Sequence, residues 1–301
     1  MGAMASTAMA PASGRAARQL AVRVRGLRKQ YCDTAAVAGV DLDIERGEIF
    51  ALLGPNGAGK TTTIEILEGH RRRDGGEVSV LGADPAKAGR SWRARIGIVP
   101  QTQTKTGELT VREMVSHFGA YFPDPREPDE VIDAVGLTEQ AGTRLRRLSG
   151  GQLRRVDVAV GIVGRPDLLF LDEPTTGFDP QARRTFWDLI AGLAGDGTTI
   201  VLTTHYLDEA AVLASRVGVL AAGRVVAAGT PADLGRTDAI ATVTWQASDG
   251  PRSVRTTEPT EFVLRLAGEA GGEVPGLTVT RPSLEDRYLE LISASQNGAE
   301  R

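Results

Sequence analysis

Residues 48–53, Glu-Ile-Phe-Ala-Leu-Leu, run directly into Gly54-Pro55-Asn56-Gly57-Ala58-Gly59-Lys60-Thr61, and this junction constrains the fold more than any other stretch. A short apolar run of that kind is the pattern of a strand buried on both faces, the habit of parallel sheets. Glycines at 54, 57 and 59 allow a tight loop, and the residues from Thr61 to Leu67 suit a helix. A buried strand, a glycine loop and a helix start turn several backbone N–H groups and a positive helix end toward one point. The group that matches such a point is a phosphate. The fold expected around it is α/β, with helices on both faces of a mostly parallel sheet.

The spacing Gly54-x-x-x-x-Gly59-Lys60-Thr61 is that of a Walker A loop. In that setting Lys60 is expected to reach the β- and γ-phosphates of a nucleotide, and the Thr61 hydroxyl to ligand Mg²⁺. Other segments fit the same plan. Residues 167–172 and 199–203 read as further buried strands, Leu20, Val22 and Val24 alternate with arginines as a half-exposed strand, and a second strand is expected near Val40–Ile44. Residues from about 101 to 165 read as helical. Val217–Leu220 and Val225–Ala228 flank Gly223 as a hairpin at the sheet edge.

Beyond residue 235 the pattern restarts, with a strand over Ala239–Trp245, a turn at Asp249-Gly250-Pro251, a helix over Pro259–Ala267 and a strand over Leu277–Thr280. Ser283 and Asp286 have capping-box spacing ahead of Leu284, Tyr288 and Leu291 at helical intervals. The organisation expected is a flexible tail over 1–18, a nucleotide-binding domain over 19–235, and a small α+β accessory domain over 236–301. The tail has an Arg- and Ser-containing, acid-poor composition that also suits a targeting segment, but it has no apolar stretch of the secretory kind.

Composition excludes more than it identifies. A formal net charge of -3 gives no electrostatic basis for general nucleic-acid binding. A single cysteine, Cys32, precludes an internal disulfide framework and suits a reducing compartment. No stretch approaches the roughly 18 apolar residues of a membrane-spanning helix. The clusters Arg71-Arg72-Arg73 and Arg144, Arg146, Arg147 read as solvated faces, and His70 and His117 as structural or surface residues.

Further motifs follow the loop in a fixed order. Leu148-Ser149-Gly150-Gly151-Gln152 resembles the signature of ABC-type ATPases, and Leu168–Asp172 followed by Glu173 resembles their Walker B strand with its trailing glutamate. Gln101 matches the family's Q-loop, Asp179 its D-loop, His205 its switch histidine, and Tyr31 stands where the family has an aromatic for adenine. The resemblance covers roughly residues 20 to 230. It implies a P-loop NTPase domain of ABC type, with a mostly parallel sheet core, an antiparallel β subdomain and a helical subdomain over about 101–165, plus the small C-terminal domain. It also implies roles: Gly54 to Thr62 and Tyr31 holding ATP, with Thr61, Gln101 and Asp172 on Mg²⁺. Glu173 polarises the attacking water, and His205 donates to the γ-phosphate. No guanine-reading Asn/Thr-Lys-x-Asp element occurs, which favours ATP over GTP.

In this family the signature faces the nucleotide of another chain, so Ser149, Gly150, Gly151, Gln152 and Asp179 are expected to complete a site held by a second copy or a paralogous ATPase. The stretches Thr176–Pro180, Thr204–Ala210 and Pro282–Asp286 resemble daunorubicin-resistance-type exporter ATPases. That resemblance implies a cytoplasmic subunit on the inner face of the membrane, docked on a separate transmembrane permease and powering export of drug, antibiotic or lipid-like molecules. A soluble ABC ATPase for cofactor assembly is the alternative reading.

Overall fold

The computed structural model describes residues 19–101, 107–235, 240–280 and 284–299. Its strands are β1 (Leu20–Tyr31), β2 (Thr34–Glu45), β3 (Ile49–Leu53), β4 (Gly75–Val80), β5 (Ile96–Val99) and β6 (Leu168–Asp172). They continue with β7 (Thr199–Thr204), β8 (Arg216–Ala221), β9 (Arg224–Gly229), β10 (Ala241–Ala247), β11 (Gly250–Thr256) and β12 (Thr278–Thr280). Six of them form the central sheet in the order β5-β6-β7-β3-β8-β9. Pairing is parallel from β5 through β8, and the expected hairpin makes β9 an antiparallel edge.

The apolar runs behave as two-sided strands must. Ile49, Ala51 and Leu53 of β3 join one core cluster, while Phe50 and Leu52 join the other. Likewise Leu169 and Leu171 of β6 face the first cluster and Leu168 and Phe170 the second. The period of two sends alternate side chains to opposite faces, and both faces are covered. On the second face lie the helix Lys60–Leu67 and a three-stranded antiparallel sheet, β2-β1-β4.

On the first face lie the helices of the segment expected to be helical: Val111–Gly119, Pro128–Ala134 and Gly150–Ile162. Thr110 and Ser149 each cap their helix with a reciprocal capping box, to Glu113 and Gln152. Such boxes satisfy orphan N–H groups and set where a helix begins.

The C-terminal region forms a separate antiparallel sheet, β11-β10-β12, beside the helix Pro259–Ala270. The final helix, Leu284–Ala299, leaves that sheet and returns to the central one. It packs on the helices Leu207–Leu213 and Pro231–Gly235 and on β8 and β9. Leu284 is 9% exposed and shares a core cluster with Ile49, Leu213 and Val217, with Tyr288 against it. The sequence pattern suggested an appendage standing by itself, and burial of this helix ties its end to the main core. Ser283, the expected capping residue, lies outside the described residues. Among the described residues no helix is long and apolar enough to cross a membrane.

Four of the six clustered arginines make local ion pairs. Arg71 bonds Glu65, Arg73 bonds Asp84 at 2.7 Å, and Arg144 and Arg146 both reach Glu108 at 3.1 Å. His70 is exposed, and His117 lies edge-on to Tyr121 on the helical subdomain.

Candidate active site

The carboxyl ends of β3, β5, β6 and β7 open on one side of the sheet, where parallel sheets bind their ligands. The loop after β3 is made by backbone sterics. Gly57 and Gly59 take φ of 81° and 100°, and a Cβ on Gly59 would stand 2.2 Å from the Ala36 carbonyl oxygen. Gly54 is confined in another way, since a Cβ there would lie 2.4 Å from the Leu220 carbonyl oxygen. Lys60 opens the helix and is 6% exposed. Its Nζ donates to the Gly54 carbonyl at 2.8 Å and to the Pro55 carbonyl at 3.2 Å. Burial pushes the amine below the ordinary lysine range, while Glu173 and Asp172 pull it back up.

At the end of β6, Asp172 is buried and accepts a hydrogen bond from the Thr203 hydroxyl of β7. Glu173 then turns into the left-handed region at φ 43°. A non-glycine residue held there costs about 1–3 kcal/mol and persists only where the surroundings enforce it. Here β7 supplies the enforcement: the Glu173 N–H donates to the Thr203 carbonyl at 3.1 Å, with the Thr203 hydroxyl also 3.1 Å away. The turn aims the Glu173 carboxylate at the neighbouring strand ends. It accepts from Gln101 Nε2 at 3.0 Å and lies 3.4 Å from His205 Nδ1.

One cavity of about 550 Å³ is lined by Tyr31, Ala36, Asn56, Gly57, Gly59, Lys60, Thr61, Thr62, Gln101, Glu173 and His205. Its size is that of a small-molecule pocket. At its rim, the Tyr31 ring has the Arg71 guanidinium 5.3 Å and the Lys29 ammonium 5.5 Å from its centroid. Glu65 and Asp74 hold those two cations in turn. The cavity thus has an aromatic edge, a glycine-rich loop with Lys60, and a carboxylate–amide–imidazole group.

Known proteins resemble this chain in sequence and fold. The pattern of the ABC transporter family matches residues 37–176. The daunorubicin resistance ATP-binding protein DrrA3 of Streptomyces coeruleorubidus is 36% identical over 302 residues, covering 90% of this chain and 95% of that protein. The Nod factor export ATP-binding protein I of Rhizobium sp. (strain N33) is 36% identical over 298 residues, covering 91% and 97%. The daunorubicin/doxorubicin resistance ATP-binding protein DrrA of Streptomyces peucetius is 44% identical over 219 residues, 71% of this chain and 66% of that protein. Among solved structures, an ATP-binding subunit of an ABC transporter superposes with a TM-score of 0.68 at 25% identity, covering 90% of this chain and 98% of that one.

The chain belongs to the ABC transporter family. It is an ATP-binding subunit with the family's ATPase domain. A cassette solved as a dimer with ADP and Pi has the same fold, with a TM-score of 0.62 at 24% identity over 69% of this chain and 98% of that one.

Within this ABC ATPase, the motif residues fall into two groups. The lining residues named above face the cavity, while Gly54, Pro55, Ala58 and Asp172 are not among them, Ala58 and Asp172 being buried. Ser149, Gly150, Gly151, Gln152 and Asp179 do not line it. Ser149 and Gly150 are exposed at the start of their helix, and the Asp179 carboxylate caps the helix Pro180–Gly195 through the Ala182 N–H at 2.8 Å.

Three supporting residues of the ABC ATPase escaped the motif reading. Thr203 holds both Asp172 and Glu173, yet in sequence it is only a polar residue near the end of a strand. Glu209, fully buried, accepts from the Thr175 hydroxyl at 2.9 Å and the Trp187 indole at 3.3 Å. It links the turn after Glu173 to the helix after His205, and burial pushes its carboxyl up. In sequence it is one acid within the Thr204–Ala210 stretch, with nothing local to mark it as buried. The third is Arg154.

Proposed function

We propose that the cavity holds Mg·ATP and that its residues hydrolyse it as read from the motifs. The observation that carries this is the meeting of Lys60, Gln101, Glu173 and His205, from the segments that follow four different strands, in one cavity. Lys60 and the loop amides bind and orient the phosphates, with Tyr31 stacking on the base. The donors available for a divalent cation are the Thr61 hydroxyl, the Gln101 amide oxygen and the Asp172 carboxylate. Such a sparse oxygen set suits Mg²⁺, which keeps waters and phosphate oxygens as its remaining ligands. Held there, such an ion would neutralise charge on the transferring phosphoryl group. Glu173, held by Gln101 and the β7 backbone, accepts hydrogen bonding from the attacking water, and His205 donates toward the γ-phosphate.

The exposed signature makes the site incomplete within one chain. Head-to-tail pairing with a second copy or a paralogous ATPase brings Ser149, Gly150 and Gly151, and the positive end of their helix, to the γ-phosphate of the other subunit. With saturating ATP and Mg²⁺, Glu173→Gln is expected to retain ATP and accumulate as a dimer on size-exclusion chromatography with light scattering. Steady-state turnover near that of the parent protein would remove Glu173 from its role.

The chain's use of ATP is proposed from its relatives, named for daunorubicin resistance and Nod factor export. It powers a separate transmembrane permease from the cytoplasmic face, exporting drug, antibiotic or lipid-like molecules. Co-expression with a transmembrane permease partner should stimulate ATP hydrolysis, and unchanged turnover would count against export.

A further inference from the structure

Arg154 belongs to no motif residue and does not line the cavity. It lies in the first turns of the helix Gly150–Ile162 and is 3% exposed. A buried guanidinium is costly unless its fork of donors is satisfied. Nε donates to the Pro174 carbonyl at 3.0 Å, one terminal nitrogen to the Asp172 carbonyl at 2.8 Å, and the other to the Pro100 carbonyl. Asp157, one turn along the helix, lies 3.7 Å away and balances the charge.

The three acceptors have a common character. Pro100 immediately precedes Gln101, Asp172 is the strand-end carboxylate, and Pro174 immediately follows Glu173. One side chain therefore spans two loops, 54 and 18 residues away in sequence, and fastens both to the helix that Ser149 caps. Apolar packing does not require it, because Val156, Val158, Ala159 and Ile162 already bury the same helix in the main core.

We propose that Arg154 is a positioning residue for hydrolysis, holding the Pro100–Gln101 strand end and the Asp172–Glu173 turn in register with the helix that begins at Ser149. This rests on the reading of Gln101, Asp172 and Glu173 given above. Loop displacement of about 1 Å can cost a hundredfold in rate. Lysine cannot substitute, since its donors radiate from one point and cannot span three carbonyls held by a planar fork.

The test uses the full-length chain with Arg154→Lys and Arg154→Gln, measuring thermal melting, binding of a fluorescent ATP analogue, and kcat and KM for ATP. The folded variants are expected to bind the nucleotide within about threefold of the parent while kcat falls roughly ten- to a hundredfold. In the Glu173→Gln background, Arg154→Lys should leave ATP-driven dimerisation in place. Parent-like kcat in a folded Arg154→Lys protein overturns the proposal, as does a loss of nucleotide binding that accounts for the loss of turnover. Failure of both variants to melt cooperatively also overturns it, making the arginine a folding element. Glu173→Gln separates the two readings. If it alone turns over normally, the assignment of Glu173 fails; if it is inactive while Arg154→Lys is normal, only the role of Arg154 fails.

Discussion

Glu68 closes the helix that Lys60 opens, and its side chain is 7% exposed. Burial, followed by the nearby carboxylates of Asp172 and Glu65, pushes it from the ordinary 4.5 to about 7. His70 Nδ1 lies 3.3 Å from Oε2 on an exposed ring, and it offsets the charge only when protonated. An acid whose pKa is raised by folding stabilises the fold in its protonated form. That stability is complete below about pH 4.5 and is lost as pH rises through about 7. At ~1.36 kcal/mol per pH unit, the loss above neutrality amounts to about 3 kcal/mol. Glu68→Gln keeps the shape and removes the titration. In urea unfolding without nucleotide or Mg²⁺, the variant should be more stable than the parent near pH 8 by up to about 3 kcal/mol. Near pH 5 the gain should shrink to about 1 kcal/mol or less. A gain independent of pH would refute the linkage. Destabilisation near pH 8 would mean that the carboxylate has a partner that stabilises its charge.

Two further substitutions probe the loop and the C-terminal helix. Gly59→Ala would put a Cβ 2.2 Å from the Ala36 carbonyl oxygen at a φ of 100°. It should cost about 2 kcal/mol of stability and weaken Mg·ATP binding at least about tenfold by calorimetry; parent-like affinity would mean the loop tolerates a shift. Leu284→Ala removes a side chain from the main core and should lower the urea midpoint by an amount worth about 2–3 kcal/mol. An unchanged midpoint would mean that the final helix is not part of the cooperative core.

Much of the candidate site was legible because its chemistry is local. Gly59 needs its glycine for a backbone angle, Lys60 and Thr61 follow directly on the helix, and Asp172 with Glu173 end an apolar run. Ser149 and Gln152 were read as signature residues, and the structure shows that they also form the capping box of their helix. The C-terminal region was less legible. Leu284, Tyr288 and Leu291 marked a helix, but a helical period gives an apolar face and not its partner. That face covers β8, β9 and the helix Leu207–Leu213, more than 50 residues upstream.

The sequence by itself determined the phosphate-binding loop, the strand and helix on either side of it, and the residue types of the ABC signature. These depend on backbone sterics and on neighbours within one turn or strand. Tertiary structure decided which of those residues meet. Gln101 and Glu173, 72 residues apart, share a hydrogen bond because β5 and β6 are adjacent and parallel, so their carboxyl ends coincide. The same pairing brings Pro100, Asp172 and Pro174 within reach of one buried arginine. Strand order is fixed by the burial of whole faces, and no local pattern around Arg154 encodes it.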